Sequence, residues 1–260
     1  MSPMELFQEA RLDEAIAAQR AVVDAHPEDI RERLLLCDLL AYTRDRDEVR
    51  RHLDRLAPGP RQIQDYLNEW RRLLAADDAR HAGADPEFLI DPPAHIHRRL
   101  QVRRLPNQER AEDAVHLIDD SDEEAGWVEG HVDGRPFEGW RDADDWLGPV
   151  LEAFHGDRYI WLPVEQVRKL RLEPGDEIRD TLYRPATVWL GDGSQWEIDL
   201  PALYTGTSQH PEEGIRIGAG VDWLDQGGLV RGQGARTYLF GEEELSPGEF
   251  RQVEIRNTSA

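Results

Sequence analysis

The arrangement of apolar residues changes near residue 125, and this change constrains the fold of the chain more than any other feature. Before it, apolar residues such as Leu6, Ile16 and Val23 recur at the spacing of a helix face. After it, short segments of alternating apolar and polar residues are separated by turn dipeptides, a pattern typical of strands. We therefore predict an α+β fold of two domains, a helical domain over residues 1–125 (the helical region) and a mostly antiparallel, β-rich domain over residues 126–260 (the sheet region).

The helical region contains a repeat with a period of 34 residues. The segment Leu12-Asp13-Glu14 is followed 34 positions later by Arg46-Asp47-Glu48, and Leu6 and Leu40 have the same separation. This is the period of tetratricopeptide repeats, in which each helix pair packs its apolar face against the next pair. The spacing therefore predicts tetratricopeptide-like repeats at the N-terminus.

Helical spacing continues beyond the repeat. It predicts further helices at about residues 62–76, 95–104 and 108–120. The acidic run 119–124 ends the helical region. Such a run is typical of a solvated helix end or a linker, and a contact with a basic partner is the alternative interpretation.

The second region carries clear hairpin signals. Residues 187–190 and 196–200 alternate in polarity on either side of Asp192-Gly193, and residues 150–154 and 159–162 flank Gly156-Asp157 in the same way. Pro163 is expected to start a short helix that extends to Leu170. The glycine-rich segments 218–220 and 232–234 are expected to form turns or bulges between strands.

The charge balance limits the possible partners. The net charge is −22, from 53 acidic and 31 basic residues, and both regions are acidic. Such a surface repels phosphate backbones and anionic membranes, so we expect neither nucleic-acid nor membrane binding and favour a basic partner surface. The sequence shows no signal-peptide core and no apolar stretch of membrane-spanning length, which predicts a cytoplasmic protein. Cys37 is the only cysteine and lies in an apolar stripe, so we expect a core thiol.

One acidic segment lies between two tryptophans, at residues 140–146. Asp142, Asp144 and Asp145 are close enough in sequence to bind a hard cation, but the segment lacks the spacing and the glycine of a calcium loop. The structural interpretation is that Asp142 caps the following turn, and partner contact is the third interpretation. Our candidate partner-binding residues are Trp140, Asp142, Asp144, Asp145, Trp146, Tyr159 and Trp161.

The other reactive side chains form no recognisable catalytic set. His95-Ile96-His97 is expected to place two imidazoles on one face of an extended segment, but no third metal ligand lies nearby in the sequence. The serines lack the Gly-x-Ser-x-Gly context of a nucleophile elbow. Arg179 and Asp180 are expected to form an ion pair near the start of a strand. We therefore predict no catalytic residue, no metal and no cofactor.

A series of landmarks along the chain carries a family resemblance. The landmarks are Leu12-Asp13-Glu14-Ala15-Ile16, Arg33-Leu34-Leu35-Leu36-Cys37-Asp38-Leu39-Leu40, Trp140-Arg141-Asp142-Ala143-Asp144-Asp145, Leu147-Gly148-Pro149-Val150-Leu151-Glu152, Gly156-Asp157-Arg158-Tyr159-Ile160-Trp161-Leu162-Pro163, Arg179-Asp180-Thr181-Leu182-Tyr183-Arg184-Pro185-Ala186, Leu200-Pro201-Ala202-Leu203-Tyr204 and Gly232-Gln233-Gly234-Ala235-Arg236. In this order they resemble the ImpE family, also called SciE or TagJ, an accessory component of type VI secretion systems. The resemblance extends over about residues 5–245, and its C-terminal segments are the specific part.

The resemblance implies a non-enzymatic adaptor that acts beside a contractile sheath. It implies binding to the small sheath subunit, through a helix of that subunit, and association with a ClpV-type ATPase that disassembles the sheath. Stacked helix pairs form a concave groove in which such a helix can lie. No individual contact residue is implied by the resemblance.

Two alternatives remain open at the level of the sequence. The first is a general repeat scaffold with a different, regulatory protein partner. The second is a metal-dependent enzyme that uses Asp142, Asp144 and Asp145.

Overall fold

The fold is seen in a computed structural model that describes residues 1–43, 45–56, 61–103, 111–175 and 177–256. Helices form most of the first 125 residues, and strands dominate the rest, so the predicted α+β class is confirmed. The helices are α1 (Pro3–Gln8), α2 (Leu12–Ala25), α3 (Ile30–Leu40), α4 (Arg46–Leu56), α5 (Arg61–His81), α6 (Ala94–Arg103), α7 (Ala111–Ala125), α8 (Ile178–Leu182) and α9 (Glu213–Arg216). Single turns of 3-10 helix lie at Val164–Gln166 and Thr207–Gln209.

The strands form one large sheet and two small ones. They are β1 (Glu129–Val132), β2 (Arg135–Glu138), β3 (Trp140–Asp142), β4 (Val150–His155), β5 (Arg158–Pro163), β6 (Val167–Leu172), β7 (Tyr183–Leu190), β8 (Gln195–Pro201), β9 (Val221–Asp225), β10 (Val230–Gly234), β11 (Tyr238–Phe240), β12 (Glu243–Leu245) and β13 (Gln252–Ile255). The large sheet has the order β2-β1-β13-β6-β7-β8-β4-β5, and its neighbouring strands are antiparallel. The small sheets are β10-β9 and β12-β11-β3.

Both predicted hairpins are present, and a predicted helix is not. Strand β7 pairs with β8, and β4 pairs with β5, both antiparallel. The helix expected from Pro163 to Leu170 is wrong, because one 3-10 turn is followed at once by β6. Val167 and Leu170 are buried in that strand between β13 and β7, so pairing with distant segments overrides the local helix signal. Residues 232–234 likewise lie inside β10 and do not form a turn.

The helical region follows the predicted periodicity. Helices α2 and α4 begin at Leu12 and Arg46, which are 34 residues apart, while the tetratricopeptide assignment itself stays a prediction. Helix α5 continues to His81, beyond the expected end near residue 76. Helix α6 covers nearly all of the helix expected at residues 95–104, and α7 begins at Ala111. Residues 104–110, including the expected start at 108, lie outside the described ranges.

The acidic run 119–124 is the C-terminal end of α7, so the interpretation as a helix end is confirmed and the interpretation as a linker is wrong. It lies within α7, and Asp122 is 3.2 Å from Arg141 Nη1 and also forms an ion pair with Arg99. Glu124 forms an ion pair with Arg98. Basic residues of α6 and β3 therefore compensate part of the run, which the sequence pattern does not indicate.

The large sheet uses its two faces differently. Along β4 and β5, Phe154, Tyr159 and Trp161 point towards the helices, whereas Leu151 and Ile160 point towards the small three-stranded sheet. The first set belongs to one continuous apolar cluster with the buried residues of α1 to α6, including the fully buried Cys37. The core therefore crosses the boundary at residue 125, and the cavity described below lies on this helix-covered face.

The contact between α3 and α8 contains a buried carboxyl group. Asp38 is 7% exposed, and burial raises the pKa of its carboxyl group to about 8, although Arg179 opposes the shift and Glu177 and Asp180 add to it. In the folded state the group therefore keeps its proton up to about pH 8, whereas an unfolded aspartate loses it near pH ~4. The folded state binds the extra proton between these two pH values, so this group makes the protein less stable as the pH rises through the window.

We expect Asp38→Asn to remove this pH dependence. The free energy of unfolding of the variant, relative to the wild type, should rise between pH 4 and pH 8 by more than about 1.4 kcal/mol, the equivalent of one pKa unit. Urea unfolding at several pH values measures the difference, and the value at pH 4, where Asp38 is protonated in the folded state, is the internal control. Parallel curves for the two proteins would contradict the assignment.

Candidate functional site

A cavity of about 220 Å³ lies where the end of α5 meets strands β4 and β5. The loop after β3 and strand β10 close its other side. Its lining residues are Arg80, His81, Gly83, Asp144, Trp146, Leu147, Glu152, Tyr159, Trp161, Tyr204, Thr205 and Arg231. Four of these, Asp144, Trp146, Tyr159 and Trp161, belong to the residue set that the sequence predicts for partner binding.

Two successive side-chain turns build the loop after β3. The Asp144 backbone N–H donates to Asp142 Oδ1 at 2.9 Å, and the Trp146 backbone N–H donates to Asp144 Oδ1 at 2.9 Å. Aspartates favour this bonding to a backbone N–H two residues later. The expected capping role of Asp142 is confirmed, and the two turns fix Trp146 at the cavity.

Strand β10 contributes the basic residue of this wall. Arg231 Nε donates to Asp144 Oδ2 at 2.8 Å, and its guanidinium carbon lies 3.7 Å from the centre of the Trp146 ring. The Gly232 backbone N–H also donates to Asp144 Oδ2, at 3.0 Å. The neighbouring Asp145 accepts a hydrogen bond from the Val230 backbone N–H at 2.7 Å. The acidic segment therefore anchors β10 and supports a cation–π contact at the cavity.

The floor of the cavity is a buried carboxylate with several donors. Tyr159 Oη donates to Glu152 Oε1 at 2.6 Å, Arg80 Nε donates to Oε2 at 2.8 Å, and Arg236 Nη2 donates to Oε2 as well. Trp161 Nε1 donates to Tyr159 Oη at 2.7 Å. Burial alone would raise the pKa of Glu152, but Arg80 and Arg236 outweigh it and lower the pKa to about 2.

The hydrogen bonds and ion pairs around Glu152 form a buried network that continues through Arg236 to Asp142. Arg236 Nη1 lies 2.9 Å from Asp142 Oδ2, and Tyr204 Oη donates to Asp142 Oδ1 at 2.8 Å. Both charged side chains are at most 1% exposed. Burial raises the pKa of Asp142 to about 7, against the opposing effect of Arg236.

The network also continues into the helical region. Arg80 Nη1 lies 3.4 Å from Asp77 Oδ1, and Arg46 Nη2 lies 2.6 Å from Asp77 Oδ2. Tyr183 of β7 donates to the same Asp77 oxygen at 2.9 Å. Positive and negative groups thus alternate from Arg46 of α4 to Asp142 of β3, and the network joins the two regions of the chain.

The structure brings together some of the predicted site residues and separates others. Trp140 faces away from the cavity and stacks on Phe240 at 5.6 Å. Trp140, Asp142, Asp144, Tyr159 and Trp161 are all less than 5% exposed. The side chains of Asp145 and Trp146 are partly exposed, so these two are the most accessible to a partner among the seven residues. Partner binding by the seven residues stays a prediction.

Donors within the protein already bond to most carboxylate oxygens of the acidic segment. Arg236 and Arg231 hold Asp142 and Asp144. Within the described ranges, no group of three or more histidine, cysteine, aspartate or glutamate side chains is arranged to hold a metal ion. Helices long and apolar enough to cross a membrane are also absent from those ranges.

The expectation of an extended segment at His95-Ile96-His97 is wrong. These residues form the start of α6, where His95 is buried and His97 is exposed. His95 Nε2 lies 2.5 Å from Glu165 Oε1. The imidazole therefore links α6 to the turn before β6. Arg179 and Asp180 lie 3.6 Å apart just before β7, so the ion pair predicted there is confirmed.

Comparisons with known proteins agree with the resemblance found in the sequence. Residues 134–254 match the family described as ImpE protein. The chain is 29% identical over 260 residues to the type VI secretion system accessory component TagJ of Pseudomonas aeruginosa, covering 98% of this chain and 92% of the relative. The crystal structure of protein VPA1032 from Vibrio parahaemolyticus matches with a TM-score of 0.89 at 17% identity, over 99% of this chain and 98% of that one. The resemblance to the ImpE family is confirmed, and the solved structure has the same fold.

Proposed function

We propose that this chain, whose residues 134–254 form an ImpE-family region, is an accessory component of a type VI secretion system. In this proposal it is a non-enzymatic adaptor that binds the small sheath subunit through that subunit's N-terminal helix. It links the subunit to sheath recycling by a ClpV-type ATPase. We propose a cytoplasmic location, because a single buried cysteine fits a reducing compartment.

The observation that carries the proposal is similarity along the whole chain. The TagJ relative aligns over 98% of this chain and 92% of its own length, so the similarity includes the helical region and the sheet region together. An adaptor needs both regions if its binding surface lies where they meet. The sheath subunit and the ATPase are proposed as partners on the basis of the family resemblance.

The cavity supports binding of a helix. Tightly bound interfaces commonly depend on a few anchor side chains that fill pockets lined by aromatic and arginine residues. A volume of about 220 Å³ suits one such anchor, and Trp146 and Arg231 form its wall. We propose that an apolar side chain of the sheath subunit's helix enters this cavity, with Asp145 contacting basic residues on the same helix.

The alternatives have weaker support. A general repeat scaffold with a regulatory partner would use the same helices, and it would be favoured if a pulldown recovered another protein and no sheath component. A metal-dependent enzyme would need free oxygens on Asp142 and Asp144, and arginine side chains already hold both carboxylates.

The proposal is tested by titrating the full chain with the intact small sheath subunit and with a synthetic peptide of its N-terminal helix. We expect saturable binding near one peptide per chain. Trp146→Ala removes one wall of the cavity and its contact with Arg231, so we expect at least about tenfold weaker binding, as for interface anchors. Calorimetry gives the dissociation constant.

The matched control is Trp189→Ala, which removes a partly exposed tryptophan of β7 that does not line the cavity. We expect this variant to bind the helix peptide as the wild type does. The adaptor role is wrong if the wild-type chain binds neither the sheath subunit nor the ATPase at micromolar concentration. The cavity is the wrong site if Trp146→Ala and the wild type bind equally well.

A further inference from the structure

A second surface, separate from the cavity, is centred on Trp127, between α7 and β1. Its side chain is 78% exposed, the highest value among the large hydrophobic residues of the described ranges. The ring rests against Gly139, where φ is +93° and where a β-carbon would overlap the indole. Because residue 139 is glycine, the indole ring can pack directly on the backbone there, and the rest of the ring is exposed to solvent.

Two carboxylates of the same charge belong to the hairpin next to this ring: Glu129 lies two residues after Trp127, and Glu138 directly precedes Gly139, which the ring contacts. Glu129 and Glu138 face each other in the β1–β2 ladder, and both are exposed. Like charges directly opposite each other destabilise a sheet. Two basic residues of this sheet pair with other carboxylates, Arg135 with Glu243 and Lys169 with Glu254. Arg256 donates its backbone N–H to the Glu129 carbonyl oxygen, but its guanidinium lies near His131.

The sequence around the ring adds further negative charge. Glu123 at the end of α7 is exposed as well. The whole chain carries a net charge of −22. A second copy of this chain would therefore meet electrostatic repulsion at this surface, whereas a basic segment would be attracted.

We propose that Trp127, Glu129 and Glu138 form a recognition site for an arginine or lysine side chain in a basic segment of a partner protein. The indole face attracts a cation through its quadrupole, and the two carboxylates accept its hydrogen bonds. The incoming cation also relieves the repulsion between Glu129 and Glu138. None of the three residues lines the cavity, so the inference does not depend on the proposed function.

The test is a titration of the full chain with a hexa-arginine peptide, followed by calorimetry and tryptophan fluorescence at low and high salt. We expect Trp127→Ala to bind roughly five- to tenfold more weakly, as for loss of a partly desolvated cation–π contact. The double variant E129Q/E138Q should also bind more weakly. Its melting temperature should equal or exceed that of the wild type, because the repulsion is gone.

Two controls separate this site from general attraction to an acidic protein. Trp223→Ala removes a tryptophan that is 37% exposed and flanked by Asp222. E242Q/E244Q removes the same charge as E129Q/E138Q from two other exposed positions. Both controls should keep the wild-type affinity to within about twofold, apart from a weak general effect of net charge.

The outcomes are distinct. Selective loss of affinity in Trp127→Ala and in E129Q/E138Q supports the site. Equal losses in all four variants, an unchanged affinity in Trp127→Ala, or no binding to the wild type would overturn it. If Trp127→Ala melts at a lower temperature than the wild type, the comparison between E129Q/E138Q and E242Q/E244Q decides.

Discussion

Replacing Arg236 by methionine is expected to lower the free energy of unfolding by about 3–5 kcal/mol, the usual cost of breaking a buried ion pair by removing one partner. Arg236 is 0% exposed and contacts both Glu152 and Asp142. It also donates to the Pro201 carbonyl oxygen at 2.9 Å. Methionine fills a similar volume but leaves these acceptors without their donor, so the loss reflects unpaired buried polar groups more than a cavity.

Arg135→Met is the matched control for this experiment. Arg135 Nη2 lies 2.9 Å from Glu243 Oε1, but its side chain is 50% exposed. Exposed ion pairs contribute about 0–1 kcal/mol, so the same substitution should have a small effect there. Urea unfolding of both variants at neutral pH measures the difference. Similar losses in the two variants would show that the buried network does not hold the fold together.

The local hairpins were predictable from the sequence because their information is local. Asp192-Gly193 and the alternating residues around it specify a hairpin between neighbouring segments. The failure at residues 163–170 has the opposite cause. Strand β6 pairs with β13, which lies some eighty residues further along the chain, and the sequence of β6 alone does not reveal that partner.

The candidate site was predictable only in part. The acidic segment between Trp140 and Trp146 directed attention to the loop that forms one wall of the cavity. The network residues Arg80 and Arg236 were missed, because they come from α5 and from the segment before β11 and meet only at Glu152. A charged residue inside an apolar strand, as Glu152 is in β4, is the one local signal that was available.

The change of pattern near residue 125 marks where helices give way to strands, and the core does not divide there. Trp70 of α5 is fully buried and packs edge-on against Tyr183 of β7, with ring centres 6.2 Å apart. Tyr42 in the helical region hydrogen-bonds Thr181 at 2.6 Å. The ion network from Asp77 to Glu152 crosses the same boundary. Secondary structure is encoded locally, whereas a folding unit depends on which surfaces are buried together.

Fragments 1–125 and 126–260 are therefore each expected to lose cooperative folding when produced alone. The first fragment would expose Trp70 and leave Arg80 without Glu152. The second would expose Phe154 and Trp161, which are at most 2% exposed in the whole chain. Exposing several such side chains costs about 1.5–3 kcal/mol each, which is comparable in total with the whole stability of a typical domain.

Near-ultraviolet circular dichroism and urea unfolding of each fragment measure this loss, and we expect weak tertiary signals and no sigmoidal transition. The control is co-expression of the two fragments. The same surfaces are then available to each other, so we expect a soluble complex that unfolds cooperatively. Cooperative unfolding of either fragment alone would mean that the chain consists of two independent domains, and that the shared core contributes little to its stability.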